Sequence, residues 1–413
     1  MLSQTAAIVR SVEPTINSDA RRKTALETGD HPTRILILGC GVLGGGVLDF
    51  LSQSGCGYDI HIAARDNQKV SLRANLARYT AANLGHHASI QVAAVDLMNV
   101  DETAAYLTAL RPDIIFNATT LHSWWVITQL PQAAFQRLDQ ARGGVWAAMH
   151  LVLVRRLMQA VRLAGLQAKV VNASYPDVTN AALAAENAAP LIGIGNIANA
   201  VPGIQLAAAH LLGCDVRRIA VRFFAHHFLS YRMPSSGGTD GAPYHLSFYL
   251  DGEVLPTEAI DHDAVFATVA GRFRRVKGLA GQSVTASSAT AVLRTLADGV
   301  DRVVHAPGPL GLVGGYPVRI SPDGISIDLP EGLSIGEAVA INRACQKFDG
   351  IESVDADGTI RFTTDCAAII REEIGFDCPA VRLADFEEIA NELAARFAEY
   401  RHAQLAKSDL SAA

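Results

Sequence analysis

The sequence predicts an α/β protein: an N-terminal Rossmann-type, doubly wound parallel sheet followed by a C-terminal α+β substrate and oligomerisation domain. Three observations carry this. The apolar run Ile35-Leu36-Ile37-Leu38 ends directly in the glycine-rich turn Gly39–Gly44. Short apolar runs then alternate with helical stretches as far as Asn117, the pattern of a parallel sheet covered on both faces. Beyond Asn180 the alternation gives way to a Gly/Asn/Pro-rich passage and, later, a hairpin signal.

In chain order, residues 1–32 are polar and weakly patterned and are expected to be a flexible N-terminal extension. Residues 33–180 form the expected dinucleotide-binding domain, with strands at 34–38, 58–64, 89–95, 113–117 and 169–172. Helices are expected over 42–53, 70–84, 101–109 and 133–164. Residues 181–413 form the second expected domain. It should hold helices over 204–212, 263–276, 289–298 and 334–348, strands at 218–224 and 245–250, and a polar loop over 234–243. A hairpin is expected through Pro322-Asp323-Gly324. Ser334 and Glu337 have the spacing of a capping box. Residues 383–405 read as an amphipathic helix with Phe386, Ile389, Leu393 and Phe397 on one face, which packs on its own chain or at a subunit interface.

Bulk properties exclude several function classes. The 413 residues are 49% hydrophobic and 18% charged, which suits large buried cores. A net charge of −6 offers no basic stripe for nucleic acid. The six cysteines (Cys40, Cys56, Cys214, Cys345, Cys366, Cys378) show neither a CxxC pair nor metal-ligand spacing, so reduced thiols and no metal site are expected. Neither an apolar leader nor an apolar run of about 18 residues is present, and a soluble, cytoplasmic protein with no membrane partner is expected.

Gly39-Cys40-Gly41-Val42-Leu43-Gly44 fits the dinucleotide fingerprint G-x-G-x-x-G. Gly39 makes the tight turn, Gly41 lets backbone approach a pyrophosphate, and Gly44 brings helix against strand. The helix N-terminus adds free N–H groups for the phosphates. Where NAD-binding units carry a ribose-binding carboxylate, this chain has Arg65-Asp66. Arg65 suits a 2′-phosphate while Asp66 opposes one, so NADP is favoured and NAD remains possible. Asp96 is placed either to touch adenine or to serve as a turn residue. Asn117-Ala118-Thr119 ends the fourth strand, at the edge where ligands of open α/β sheets collect.

Val92–Leu97 and Pro112–Ala118 resemble the saccharopine-dehydrogenase-like NADP domain. From there to about residue 350 the order of features is similar to that of the lactate/malate dehydrogenase superfamily. The resemblance is carried by Val170-Val171-Asn172, Gly193-Ile194-Gly195-Asn196, Phe223-Phe224-Ala225-His226-His227, Gly315–Ile320 and Leu333-Ser334. It implies that Asn172 contacts the nicotinamide ribose or the substrate carbonyl, and that His226 or His227 is the proton donor. Spacing from Gly213 favours His227, whereas spacing from Gly193 favours His226. The family's histidine-orienting aspartate falls at Asn199 and its carboxylate-gripping arginine near Pro202, so lactate and malate are not the expected substrates.

Adjacent histidines at a strand end face opposite ways, so one of the two is expected to face the cofactor. Histidine suits this chemistry because its ordinary pKa lies near operating pH. His122, Trp124 and Trp125 are candidates for a substrate wall or for packing, and Arg232 for a replacement carboxylate clamp. Ser287 and Ser288 read as pocket hydroxyls or, more economically, as N-caps. Together these readings predict an NADP-preferring oxidoreductase acting on a small carbonyl or hydroxyl compound, in a homo-oligomer. Two alternatives are an opine-type imine reductase and an NADP-binding sensor without turnover.

Overall fold

The computed structural model describes residues 31–412, so most of the N-terminal extension lies outside the described residues. The run Arg34–Leu38 forms strand β1, and its alternation explains why it is central. Ile35 and Ile37 enter one core, while Leu36 and Leu38 enter the core on the opposite face. The chain continues through α1 (Val42–Ser52), β2 (Asp59–Ala64), α2 (Asn67–Asn83), β3 (Ser89–Ala94), α3 (Val100–Leu110) and β4 (Ile114–Asn117). Next come α4 (Gln132–Asp139), α5 (Ala147–Leu163), β5 (Lys169–Asn172), α6 (Pro176–Ala184) and β6 (Ile192–Gly193). The six strands form one parallel sheet in the order β3-β2-β1-β4-β5-β6, the doubly wound arrangement the alternation implied.

Three departures concern this region. The sheet takes its sixth strand from beyond Asn180, and the passage expected to be irregular begins inside α6. The helix expected over 133–164 is broken between α4 and α5, where Arg142 takes a left-handed conformation (φ 65°). Gly144 then lies so close to Gly350 that an added Cβ would stand 2.9 Å from its carbonyl oxygen. The break therefore serves a long-range contact that local helical pattern does not encode.

The second half runs through α7 (Val201–Leu212), β7 (Ile219–Phe224), α8 (His227–Ser236), β8 (His245–Leu250), β9 (Glu253–Val254), α9 (His262–Ala270) and α10 (Gln282–Asp298). Then follow β10 (Arg302–Pro307), β11 (Gly315–Ser321), β12 (Gly324–Ile327), α11 (Ile335–Cys345), β13 (Ile351–Val354), β14 (Ile360–Phe362), α12 (Thr364–Ile374), β15 (Ala380–Val381) and α13 (Phe386–Ala412). The hairpin β11–β12 and the Ser334–Glu337 capping box form as the sequence predicts. The expected polar loop at 234–243 is instead partly helix: α8 runs through a buried Pro234 because Phe228, Leu229 and Met233 are packed into a core. Ser287 and Ser288 lie inside α10, not at its start, and both donate to the carbonyl three residues back.

The C-terminal elements fold onto the first half of the chain. Helices α4, α5 and α6 share a hydrophobic core with β13–β15, α12 and α13. In α13, Phe386, Leu393 and Phe397 are buried in that core and Ile389 packs against it, so the apolar face is covered by its own chain. Among the described residues no helix is long and apolar enough to cross a membrane. Leu393 is fully buried, so Leu393→Ala should cost about 2–5 kcal/mol in urea unfolding, whereas truncation of the exposed Leu405 should cost under about 0.5 kcal/mol.

Candidate functional site

The loop after β1 has the geometry its glycines require. Gly39 sits at φ +101°, and a Cβ there would stand 2.8 Å from the Ala118 carbonyl oxygen. A Cβ on Gly44 would overlap the Gly39 carbonyl oxygen, so helix and turn touch directly. At Gly41, by contrast, a Cβ would meet nothing within 4 Å. Gly41 caps α1 with no side-chain hydrogen bond, and Cys40, Val42 and Leu43 complete the loop at that helix N-terminus. The loop is thus closed on the protein side and open where a diphosphate would approach.

Arg65 is exposed at the end of β2, with no ion pair among the described residues. The Asp66 carboxylate accepts the Lys69 N–H at 3.0 Å as the N-cap of α2, which gives it a structural task. Asp96 accepts the Met98 N–H at 3.0 Å and forms a turn. Asn117 and Asn172 are fully buried and tie β4 to β5 through a 3.0 Å bond. Asn117 Oδ1 also accepts from the Thr119 N–H and hydroxyl. Asn172 further donates to Thr179 and Asn180 and accepts from the Ser174 N–H. Its amide is committed to the protein.

Beyond this edge lies a cluster that the sequence does not announce. Asp349, fully buried, accepts from the Tyr175 hydroxyl (2.5 Å), His227 Nδ1 (2.8 Å) and the Tyr231 hydroxyl (3.2 Å). Tyr175 precedes α6 in a left-handed conformation, φ 48°, which is uncommon for a bulky side chain. Asp177, two residues later, accepts from the His227 backbone N–H (3.1 Å) and the Asn196 amide. A Cβ on Gly143 would stand 3.4 Å from both Asp349 Oδ2 and the Tyr175 hydroxyl, so the α4–α5 break lets the chain pass beside the carboxylate. The cluster joins the glycine loop through a chain of contacts: Tyr175 packs on His150, whose Nδ1 bonds Thr120 and Ser174. Thr120 directly follows the Thr119 that lies against Gly39.

The two candidate histidines differ in kind. His226 is fully buried, both ring nitrogens lack a hydrogen-bond partner, and Nδ1 is 3.8 Å from Asp349, too far for a bond. Burial pushes its pKa down. Burial also opposes charge on His227, but the Asp349 charge and hydrogen bond prevail and raise its pKa above 6.5. For Asp349 burial acts upward, and the His227 charge and hydrogen bond, with the nearby His226 ring and the Tyr175 hydroxyl, hold it below 3.8. The Nδ1 bond directs His227 Nε2 away from the carboxylate, on a ring that remains 27% exposed.

Other expected site residues lie apart. His122 is buried, stacked on Trp146 at 4.3 Å and edge-on to Phe397, so it packs a core, and burial lowers its pKa to about 4. Backbone of Trp124 begins a short 3-10 turn; its side chain lies outside the described residues. Asn199 donates to Thr285 and accepts from Ser288, and does not touch either histidine. The histidine-orienting role the resemblance placed there is filled geometrically by Asp349. Arg232 pairs with Asp240 at 2.6 Å, which engages it away from the cluster. Tyr175, Asp177 and Asp349 were missed because they are single residues brought together only by the fold; Tyr231 flanks the histidines in sequence, but its bond to a distant carboxylate does not show there. The left-handed Tyr175, just before a proline, left no local pattern to find. Among the described residues no group of three His, Cys, Asp or Glu side chains is arranged to hold a metal.

No family model matches the chain, and no curated protein matches its sequence. Solved structures do resemble it. A Cryptosporidium parvum malate dehydrogenase aligns with TM-score 0.51 at 15% identity, covering 77% of this chain and 97% of that one. A lactate dehydrogenase from a Medee basin deep-sea metagenome aligns at 0.51 with 10% identity, covering 77% and 96%. The lactate dehydrogenase of Cryptosporidium parvum, complexed with lactic acid and nicotinamide adenine dinucleotide, aligns at 0.50 with 12% identity, covering 77% and 98%. At these identities the likeness is one of fold.

The raised His227 pKa and the lowered Asp349 pKa are two views of one ion pair. Its contribution to stability is full below the unfolded histidine value of 6.5 and is lost as pH rises through the raised folded value. On the acid side it is present above the unfolded carboxylate value of 3.8 and is lost as pH falls through the lowered folded value. The stability advantage of wild type over His227→Gln should therefore be full between the unfolded values of 3.8 and 6.5 and decline as pH rises further. Urea midpoints measured across that range check this; an advantage that grows with pH contradicts it.

Proposed function

We propose that the chain is an NADP-preferring oxidoreductase that transfers a hydride between the nicotinamide and a small carbonyl or hydroxyl compound. The observation that carries this reading is the buried His227–Asp349 pair, joined by continuous contacts to an open glycine loop of dinucleotide-binding geometry. The N–H groups at the start of α1 would hold the diphosphate, and Arg65 the 2′-phosphate of the adenosine ribose. The bound coenzyme supplies or accepts the hydride at the substrate carbon. Asp349 keeps the Nδ1 proton of His227 in place, so that Nε2 gives a proton to the substrate oxygen in reduction and takes it in oxidation. Tyr175 and Tyr231 hold Asp349 as a carboxylate, which favours the imidazolium between turnovers. The dehydrogenase folds that this chain resembles support the same class of chemistry.

His227→Asn should lower NADPH turnover by about 10²–10⁴-fold while coenzyme binding persists. An unchanged rate in that variant removes His227 from the reaction. Arg65→Ala should weaken NADPH binding by about 10–100-fold, from the loss of a charge-assisted contact of about 1.5–3 kcal/mol, and leave NADH binding unaltered. Equal losses for the two coenzymes, read by calorimetric titration, contradict the NADP preference. Turnover that requires an added amine beside the carbonyl compound would assign the opine-type reaction instead. Coenzyme binding with no turnover on either substrate class would assign a sensor.

A further inference from the structure

A second concave site lies behind the turn that carries Asp349. It is a groove of about 780 Å³ between the C-terminal half of α6, the end of α11 and β13, and none of its lining residues belongs to the His227 cluster. Ala181, Ala184, Leu312 and Val339 give it an apolar wall of short side chains. Two polar groups in it lack a protein partner among the described residues, and one of them is buried. Arg343 is exposed with no ion pair among the described residues, whereas its neighbour Lys347 is paired with Glu352. Gln346 is 2% exposed; its Nε2 donates to the Glu352 carbonyl, and its Oε1 is buried with no hydrogen-bond partner. A buried acceptor without a donor is costly, and native structures rarely keep one without a reason.

We infer that this groove binds a zwitterionic aliphatic amino acid. The carboxylate lies on the Arg343 guanidinium, whose planar fork suits two oxygens. The ammonium donates to Gln346 Oε1, beside Glu352 of β13, and the alkyl chain lies on the alanine face. Gln346 opens the 3-10 turn that ends at Asp349, so the ligand abuts the element that holds the buried carboxylate. The inference stands apart from the hydride-transfer reading, because it needs neither coenzyme nor turnover.

Leucine is the probe, titrated calorimetrically into the full chain without coenzyme. Saturable heat is expected in wild type and in His227→Asn, weakened at least about tenfold in Arg343→Gln. Leucinamide, which lacks the anion, and 4-methylpentanoate, which lacks the ammonium, should each bind at least about tenfold more weakly than leucine. Circular dichroism of Arg343→Gln, a surface substitution, confirms that its fold is kept. Absence of saturable heat, heat indifferent to Arg343→Gln, or heat lost in His227→Asn overturns the assignment.

Discussion

A carboxylate buried away from solvent must be supplied with donors, and Asp349 sets that requirement for the whole chain. Removing such a charge from solvent costs several kcal/mol, which only close partners offset. Its three donors come from two distant places, Tyr175 before α6 and His227 and Tyr231 on α8. The carboxylate itself arrives from the C-terminal third, on the turn after α11. One side chain therefore fixes the C-terminal region against the parallel-sheet core and against the second half of the molecule. The glycines at 143, 144 and 350 follow from the same demand, since each lies where backbone must pass close to that turn.

Two of the chain's left-handed non-glycine residues, Arg142 and Tyr175, fall on this cluster. A tyrosine at positive φ carries a steric cost of order 1–3 kcal/mol, and such conformations persist where surrounding structure over-determines them. Tyr175 is over-determined in this sense: its hydroxyl is held by Asp349, and its backbone begins a helix whose first residue is Pro176. Arg142, also at positive φ, ends the segment that must turn before Gly143 reaches the carboxylate. Strain, glycine contacts and a buried charge coincide at one place in the fold.

The parallel sheet was legible in the sequence because its physics is local. Strands buried on both faces read as unbroken apolar runs, and the glycine turn announces itself by spacing. The capping box at Ser334 is equally local. What escaped depends on distance along the chain. Asp349 stands 122 residues from the histidine it binds, and nothing around it differs from an ordinary surface acid. Pro234 reads as a helix breaker, yet packing of Phe228 and Met233 outweighs that preference. Ser287 and Ser288 look like caps, but their hydroxyls return to their own helix. The resemblance to dehydrogenases placed the orienting acid at Asn199, because an ordering of elements cannot show that a different segment fills the role.

The histidines illustrate how environment, not residue type, assigns chemistry. His150 is pushed down to about 3 by burial, His122 to about 4, and His226 is lowered for the same reason. Burial disfavours charge on all three. His227 adjoins His226 in sequence and burial opposes its charge too, yet its pKa moves the other way. The difference begins in the backbone. His226 is the extended N-cap residue of α8 and His227 its first helical residue, so their rings diverge and only one Nδ1 comes within bonding distance of Asp349. Separation of titrating groups by environment is the pattern from which acid and base roles are read. Here it argues for His227, the one ring in the group that pairs a buried counter-charge with access to solvent.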